Sequence, residues 1–221
     1  MTPYGLPYSR YPPAYMRVAS CWLLSILLSL SACAPEPVED VPEPAEAAVA
    51  RGDSAFQQLQ FAQANDEYST AIRLDSTLAH AFLMRGQVRW MSQQFGPAVE
   101  DLDRALALDS TQAWGYFFRG SSYFSLDSLD LALADLQTAA TSGDLPDEDR
   151  ARAHRMRAIV FMSTDRYEEG IDALSRAIDL RPDAPLYLFE RGLLNAAADR
   201  PAEATSDLER FLANRHRLLA A

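Results

Sequence analysis

Residues that could catalyse a reaction or bind a metal are few and scattered in this 221-residue sequence. The three histidines, His80, His154 and His216, lie far apart, and no pair has the spacing of metal ligands. The sequence contains no glycine-rich phosphate loop and no nucleophile elbow. The acidic runs at 100–103 and 146–150 are typical of a solvated helix face and a loop. We therefore expect no catalytic residue, no metal and no cofactor; the alternative is an enzyme whose site has no recognisable motif.

Cys33 is the residue best placed for a covalent modification. An apolar run, 18–30, precedes it and follows Arg10 and Arg17, which is typical of a secretory signal and too short to span a bilayer comfortably. Residues 30–33 read LSAC. This motif is similar to the bacterial lipobox, in which an aliphatic residue and two small ones precede the cysteine that is lipidated. The sequence therefore predicts a lipid on Cys33.

Lipidation would divide the N-terminal segment into two parts. Residues 1–32 would be a signal peptide that is removed, with Met16 as an alternative start that gives a more usual signal length. Residues 33–44 are rich in proline and acidic side chains, a composition that cannot bury a core and favours an extended linker. Cleavage of an ordinary secretory signal near Ala32 or Ala34 is the alternative.

Net charge restricts the class of partner. The chain carries 20 basic residues, all of them arginine, against 31 acidic residues, which gives a net charge of −11. A surface that binds nucleic acid needs clustered positive charge. We therefore expect no nucleic acid partner.

An arginine followed by a glycine recurs inside apolar sequence, as FLMRGQV at 82–88, FFRGSSY at 117–123 and FERGLLN at 189–195. Glycine costs about 1 kcal/mol against alanine inside a helix, and a half-buried guanidinium needs a partner. Acidic residues follow these arginines at a constant offset of 16. The offset predicts three ion pairs: Arg85 with Asp101, Arg119 with Asp135, and Arg191 with Asp207. The alternative is that the arginines lie on a solvated face.

Small residues extend the same period along the chain. The glycine position is occupied every 34 residues, apart from one step of 38, by Gly52, Gly86, Gly120, Ala158 and Gly192. Each unit contains an apolar-periodic helix, a polar or proline-bearing break and a second such helix. The pattern resembles the tetratricopeptide repeat, in which each unit is a pair of antiparallel helices. The resemblance implies an all-α, right-handed superhelical solenoid with units at 45–78, 79–112, 113–146, 151–184 and 185–218.

The resemblance also implies where a partner would bind. In tetratricopeptide arrays the first helix of each unit lines a concave surface, and several first-helix positions in units two to four carry large or basic side chains. We expect this groove to be formed by Trp90, Trp114, Phe117, Phe124, Arg152 and Arg155. The two arginines would then attract an acidic partner. The alternative is that the aromatic residues pack between helices.

These observations favour a non-catalytic, lipid-anchored envelope protein. Its repeats would serve as an adaptor for other envelope proteins or peptide segments, at the outer membrane and facing the periplasm. It would contact the membrane through its lipid and bind no small-molecule substrate. The alternative is a structural component of an envelope assembly, such as outer-membrane protein assembly or pilus biogenesis, that acts by self-association or co-association.

Overall fold

The computed structural model describes residues 44–214, and every regular element in this part of the chain is an α-helix. The helices are α1 Ala45–Gln57, α2 Phe61–Leu74, α3 Ala79–Met91, α4 Phe95–Leu108, α5 Ala113–Ser125, α6 Leu129–Thr141, α7 Asp147–Met162, α8 Tyr167–Leu180, α9 Pro185–Ala197 and α10 Pro201–Asn214. None of them is both long and apolar enough to cross a bilayer. The predicted signal peptide, Cys33 and nearly all of the linker lie outside the described residues.

Consecutive helices pack as hairpins, and each hairpin packs on the next, so the described chain is an all-α repeat solenoid, as predicted. Helix α1 begins at Ala45, α3 at Ala79, α5 at Ala113 and α9 at Pro185, each at the first residue of its expected unit. Helix α7 differs because it begins at Asp147, one turn early. The four extra residues before unit four therefore lengthen its first helix rather than form a loose loop.

The turn inside each hairpin has the same backbone conformation in all five units. One residue per turn has a positive φ of 55–60°, and these residues are Leu59, Gln93, Asp127, Asp165 and Asp199. In the first turn, Gln60 N–H donates to the Ala55 carbonyl and Leu59 N–H donates to the Phe56 carbonyl, which is the Schellman pattern. Two hydrogen bonds thus end each first helix and direct the chain into the second.

The recurring glycine marks the closest approach of the two helices. A Cβ on Gly86 would lie 2.8 Å from Leu102 Cγ, closer than real Cβ atoms approach a neighbour. Leu102 is fully buried, so the helices meet where the glycine leaves room for a large side chain. The helical cost of this glycine is therefore offset by packing.

Unit five replaces the expected small residue of its second helix with Phe211. The Phe211 ring packs against Phe189, with ring centroids 5.1 Å apart, at the end of the described array. A large side chain fits here because no further described helix packs against this part of α10.

Candidate protein-binding surface

The repeated arginines form ion pairs across their hairpins. Arg119 Nε and Nη2 donate to the two carboxylate oxygens of Asp135 at 2.7 and 2.9 Å. Equivalent paired hydrogen bonds join Arg85 to Asp101 and Arg191 to Asp207, at 2.6–2.9 Å. All three aspartates are buried. Hydrogen bonding to Asp135 raises the pKa of Arg119, so this side chain stays charged.

Each of these arginines also reaches the preceding unit. The third nitrogen, Nη1, donates to a side chain 16 residues earlier, on the second helix of the unit before. The acceptors are Ser69 for Arg85, Asp103 for Arg119 and Ser175 for Arg191, at 2.7–3.0 Å. The sequence interpretation missed these contacts, although the second offset of 16 could have indicated them. One guanidinium therefore ties three helices together.

Unit four lacks this arrangement. Its position for the acid is Ala173, and the Arg157 guanidinium lies over the Phe161 ring, 5.6 Å from the centroid. Phe161 occupies the position from which Arg89 and Asn195 reach the aspartate in units two and five. Burial lowers the pKa of Arg157. In unit four, Ala173 thus replaces the aspartate, and Phe161 replaces the second side chain that bonds to it in units two and five.

The aromatic residues assigned to the groove pack largely on one another. Trp114 stacks on Phe118 with centroids 5.4 Å apart, and Trp90 contacts the same ring at 5.2 Å. Phe117 is only 8% exposed and packs edge-on against Trp114. Phe117 therefore belongs to the core rather than to an open groove, because burial of an aromatic ring is strongly favourable. Trp90, Trp114 and Phe124 are partly buried against the same core.

The two arginines assigned to the groove already have acidic partners. Arg155 donates through Nε and Nη2 to Glu190 of the next unit at 2.6–2.8 Å. Arg152 bonds to Glu148 and Asp149 on its own helix. The expected attraction for an acidic partner is therefore cancelled locally, because each guanidinium is neutralised within the chain.

An apolar groove opens beside these arginines, between α7 and α9. Its cavity has a volume of about 220 Å³. It is lined mainly by Ile159, Met162, Leu186, Phe189 and Leu193, with Glu190 at its polar edge. Met162, Leu186 and Leu193 are 37–48% exposed. The first helix of unit four lines this groove, as the repeat pattern implied, but none of the five apolar residues that line it was among the predicted groove residues.

The family assignment follows from the match along the chain. A model of the tetratricopeptide repeat matches residues 49–113 and 117–185, more than half of the chain. The chain belongs to the tetratricopeptide repeat family. A second model of this repeat matches residues 156–218. No curated protein matches the chain.

Several solved structures share this tetratricopeptide fold. MamA superimposes with a TM-score of 0.70 at 21% identity, over 78% of this chain and 92% of MamA. YrrB, described as a TPR protein with an unusual peptide-binding site, gives a TM-score of 0.66 at 18% identity, over 80% of this chain and 89% of YrrB. PilF of Pseudomonas aeruginosa gives 0.67 at 19% identity, over 77% of this chain and 76% of PilF. At these sequence identities, the similarity concerns the fold alone.

Within residues 44–214, the tetratricopeptide array brings together no group of three or more side chains suited to hold a metal ion. Its one buried histidine, His154, has its pKa lowered to about 4, chiefly by burial and then by Arg157 and Arg176. His154 is therefore neutral at pH 7. The groove between α7 and α9 combines a defined cavity with exposed apolar side chains.

Proposed function

We propose that the tetratricopeptide array is a non-catalytic protein-interaction scaffold and that its binding surface is the groove between α7 and α9. The observation that carries this proposal is the exposure of three large aliphatic side chains, Met162, Leu186 and Leu193, around one cavity. Apolar side chains grouped around a cavity on a surface are typical of protein-binding sites. The description of YrrB as a peptide-binding TPR protein supports the same assignment.

The size of the cavity favours a side chain over a free small molecule. Its volume of about 220 Å³ lies below the roughly 300–1,000 Å³ of pockets that enclose small ligands. It is also open to solvent, since Met162 and Leu193 both remain exposed. A partner segment would insert one aromatic or two aliphatic side chains here.

The charge of the array indicates a basic partner rather than the acidic one expected from Arg152 and Arg155. Both arginines are paired, and the chain has a net charge of −11. A partner with apolar anchors and flanking positive charge would associate faster and avoid like-charge repulsion. Raising the salt concentration should therefore lower the association rate constant, with a smaller effect on the dissociation rate constant.

A photocrosslinking amino acid at position 193 of the full chain, expressed in its native cells, tests the binding surface. Position 131 provides the control, because Leu131 is 53% exposed on α6, away from the groove. We expect position 193 to give one dominant protein adduct that is absent from position 131, and Leu193→Glu to abolish binding of that partner. Equal adducts from both positions would reject the groove. An adduct with a second copy would favour the structural, self-associating alternative.

We also propose that Cys33 anchors the array to the cell envelope, facing the periplasm from the outer membrane. The support is the LSAC motif at the end of the apolar run. Two or more acyl chains give stable membrane attachment, whereas one is marginal. Cys33→Ser should release the protein or leave its signal uncleaved, as judged by detergent partitioning and intact mass. Unchanged partitioning and mass would reject the anchor.

A further inference from the structure

The junction between units three and four departs from the repeat in a way that places charged side chains and a histidine around a cavity. The extra turn at the start of α7 adds Arg150 to the junction. One turn later His154 occupies a position that is Ala48, Phe82, Tyr116 or Leu188 in the other units. These residues, with Arg176 of α8, line a cavity of about 360 Å³. The other units have no histidine or arginine pair at the equivalent positions.

The proton of His154 can be placed from its contacts. Arg157 Nη1 lies 3.3 Å from His154 Nδ1, and a guanidinium only donates, so Nδ1 is the acceptor. The proton of the neutral ring is therefore on Nε2. The residue is 5% exposed, and the contact of Nδ1 with Arg157 is the only hydrogen bond found for its ring among residues 44–214. The Nε2–H group of this buried residue is thus a donor without a partner in the described chain, at the wall of the cavity.

Neighbouring guanidinium groups have unused donors as well. Four buried side-chain polar atoms lack a partner in the described chain, and two of them are Arg150 Nε and Arg157 Nε. Among residues 44–214, Arg157 has no carboxylate partner, because Ala173 replaces the acid. Buried donors without acceptors are costly, and they are usually satisfied by water or an ion.

The acids near the cavity leave room for a further acceptor. Asp147 pairs with Arg150 and Asp172 pairs with Arg176, each within one helix, and both aspartates are exposed. Asp179 also lines the cavity and would weaken the binding of an anion. The unused groups are all N–H donors, which is the complement of an oxyanion and the opposite of what a cation requires.

We propose that this junction cavity is an oxyanion-binding site, in which His154 Nε2–H and the guanidinium groups of Arg150 and Arg176 donate to phosphate or carboxylate oxygens. The site is separate from the apolar groove and does not depend on the function proposed for it. Two kinds of ligand could supply these oxygens: free inorganic phosphate, or a carboxylate group presented by a partner. Asp179 at the cavity wall limits the affinity, so millimolar binding is expected for either probe alone.

Histidine NMR tests the proposal directly, because the chain has only three histidines and each ring is a separate probe. Inorganic phosphate and acetate would be titrated separately at pH 7, with sodium chloride keeping the ionic strength constant. We expect saturable shifts of the His154 ring signals, while those of His80 and His216 stay unchanged. A response to phosphate alone identifies free phosphate as the ligand, and a response to acetate alone identifies a carboxylate.

Matched variants distinguish the site from general charge effects. Arg176→Gln should weaken binding at least tenfold, whereas Arg104→Gln should leave it unchanged. Arg104 occupies the position in unit two that Arg176 occupies in unit four, and it is also exposed. Thermal unfolding of both variants checks that each is folded. The proposal is overturned if neither anion shifts the His154 signals, or if Arg176→Gln and Arg104→Gln bind equally well.

Discussion

Asp135 is held by Arg119 through two parallel hydrogen bonds of 2.7 and 2.9 Å that cross the hairpin of unit three. The carboxylate is buried, and Arg119 is the only partner found for it among the described residues. Removing the arginine therefore leaves a buried charge uncompensated.

We predict that Arg119→Met destabilises the protein by about 3–5 kcal/mol. A double-mutant cycle with Asp135→Asn should give a coupling energy of about 2 kcal/mol or more from urea unfolding. The contact of Arg119 with Asp103 cancels from this coupling energy, because Asp103 is present in the wild type, both single variants and the double variant. The exposed pair Arg51 and Glu67 is the control, with an expected coupling of about 0–1 kcal/mol. Equal coupling energies in the two cycles would show that burial does not strengthen the ion pair.

We predict that Gly86→Ala destabilises the protein by about 1–3 kcal/mol, because the new methyl group would overlap Leu102. Gly96→Ala is the matched control, since nothing lies within 4 Å of a Cβ built there. That variant should be neutral or slightly stabilising, as alanine favours the helix. Chemical unfolding of both variants makes the comparison. A Gly86→Ala protein as stable as Gly96→Ala would contradict the assigned packing.

We predict that Leu59→Gly stabilises the protein, because Leu59 has a φ of 59° and is 72% exposed. A left-handed conformation costs a residue with a side chain about 1–2 kcal/mol, and glycine would relieve this cost. Part of the gain in stability is offset by the greater conformational freedom of glycine in the unfolded chain. The net gain should be about 0.5–1 kcal/mol. Leu131→Gly, at an exposed position inside α6, should instead lose about 1 kcal/mol. A loss at both positions would show that the turn tolerates leucine without strain.

We predict that His154 makes the fold sensitive to acid. Its pKa in the folded protein is about 4, below the ordinary value of 6.5, so between these values the unfolded chain binds a proton that the folded chain does not. The contribution of His154 to the free energy of unfolding is complete above pH 6.5 and falls by about 1–3 kcal/mol as the pH drops to 4.

His154→Leu, which introduces the residue found at this position in unit five, should remove this part of the pH dependence. His80→Gln should retain it, because His80 is exposed. Unfolding free energies measured between pH 7 and pH 4 provide the comparison. Identical profiles for wild type and His154→Leu would show that His154 titrates normally.

The regular features of the fold could be predicted because they repeat. The helix pairs and the pairing of Arg85 with Asp101 follow from one period and one offset, which appear several times in the sequence. The turns could not be predicted in the same way. Leu59 and Gln93 adopt a conformation that usually indicates glycine or asparagine, so the local sequence carried no signal.

The binding surface was harder to predict because exposure depends on neighbouring units. Phe117 and Phe189 both lie five residues into their units, yet Phe117 is buried against other rings while Phe189 lines an open cavity. Arg155 was interpreted as a free charge because its partner, Glu190, lies 35 residues away in the next unit. No pattern within one unit could show either relationship.

Each helix of the array contacts only helices that are close in sequence, and the groove between α7 and α9 involves units four and five. Stabilisation by a ligand extends only as far as the contacts that transmit it. A partner in the groove should therefore slow amide hydrogen exchange in α7 to α10 and leave the rates in α1 and α2 as they are in the free protein. The first units would keep their own local opening equilibrium while the last two are occupied.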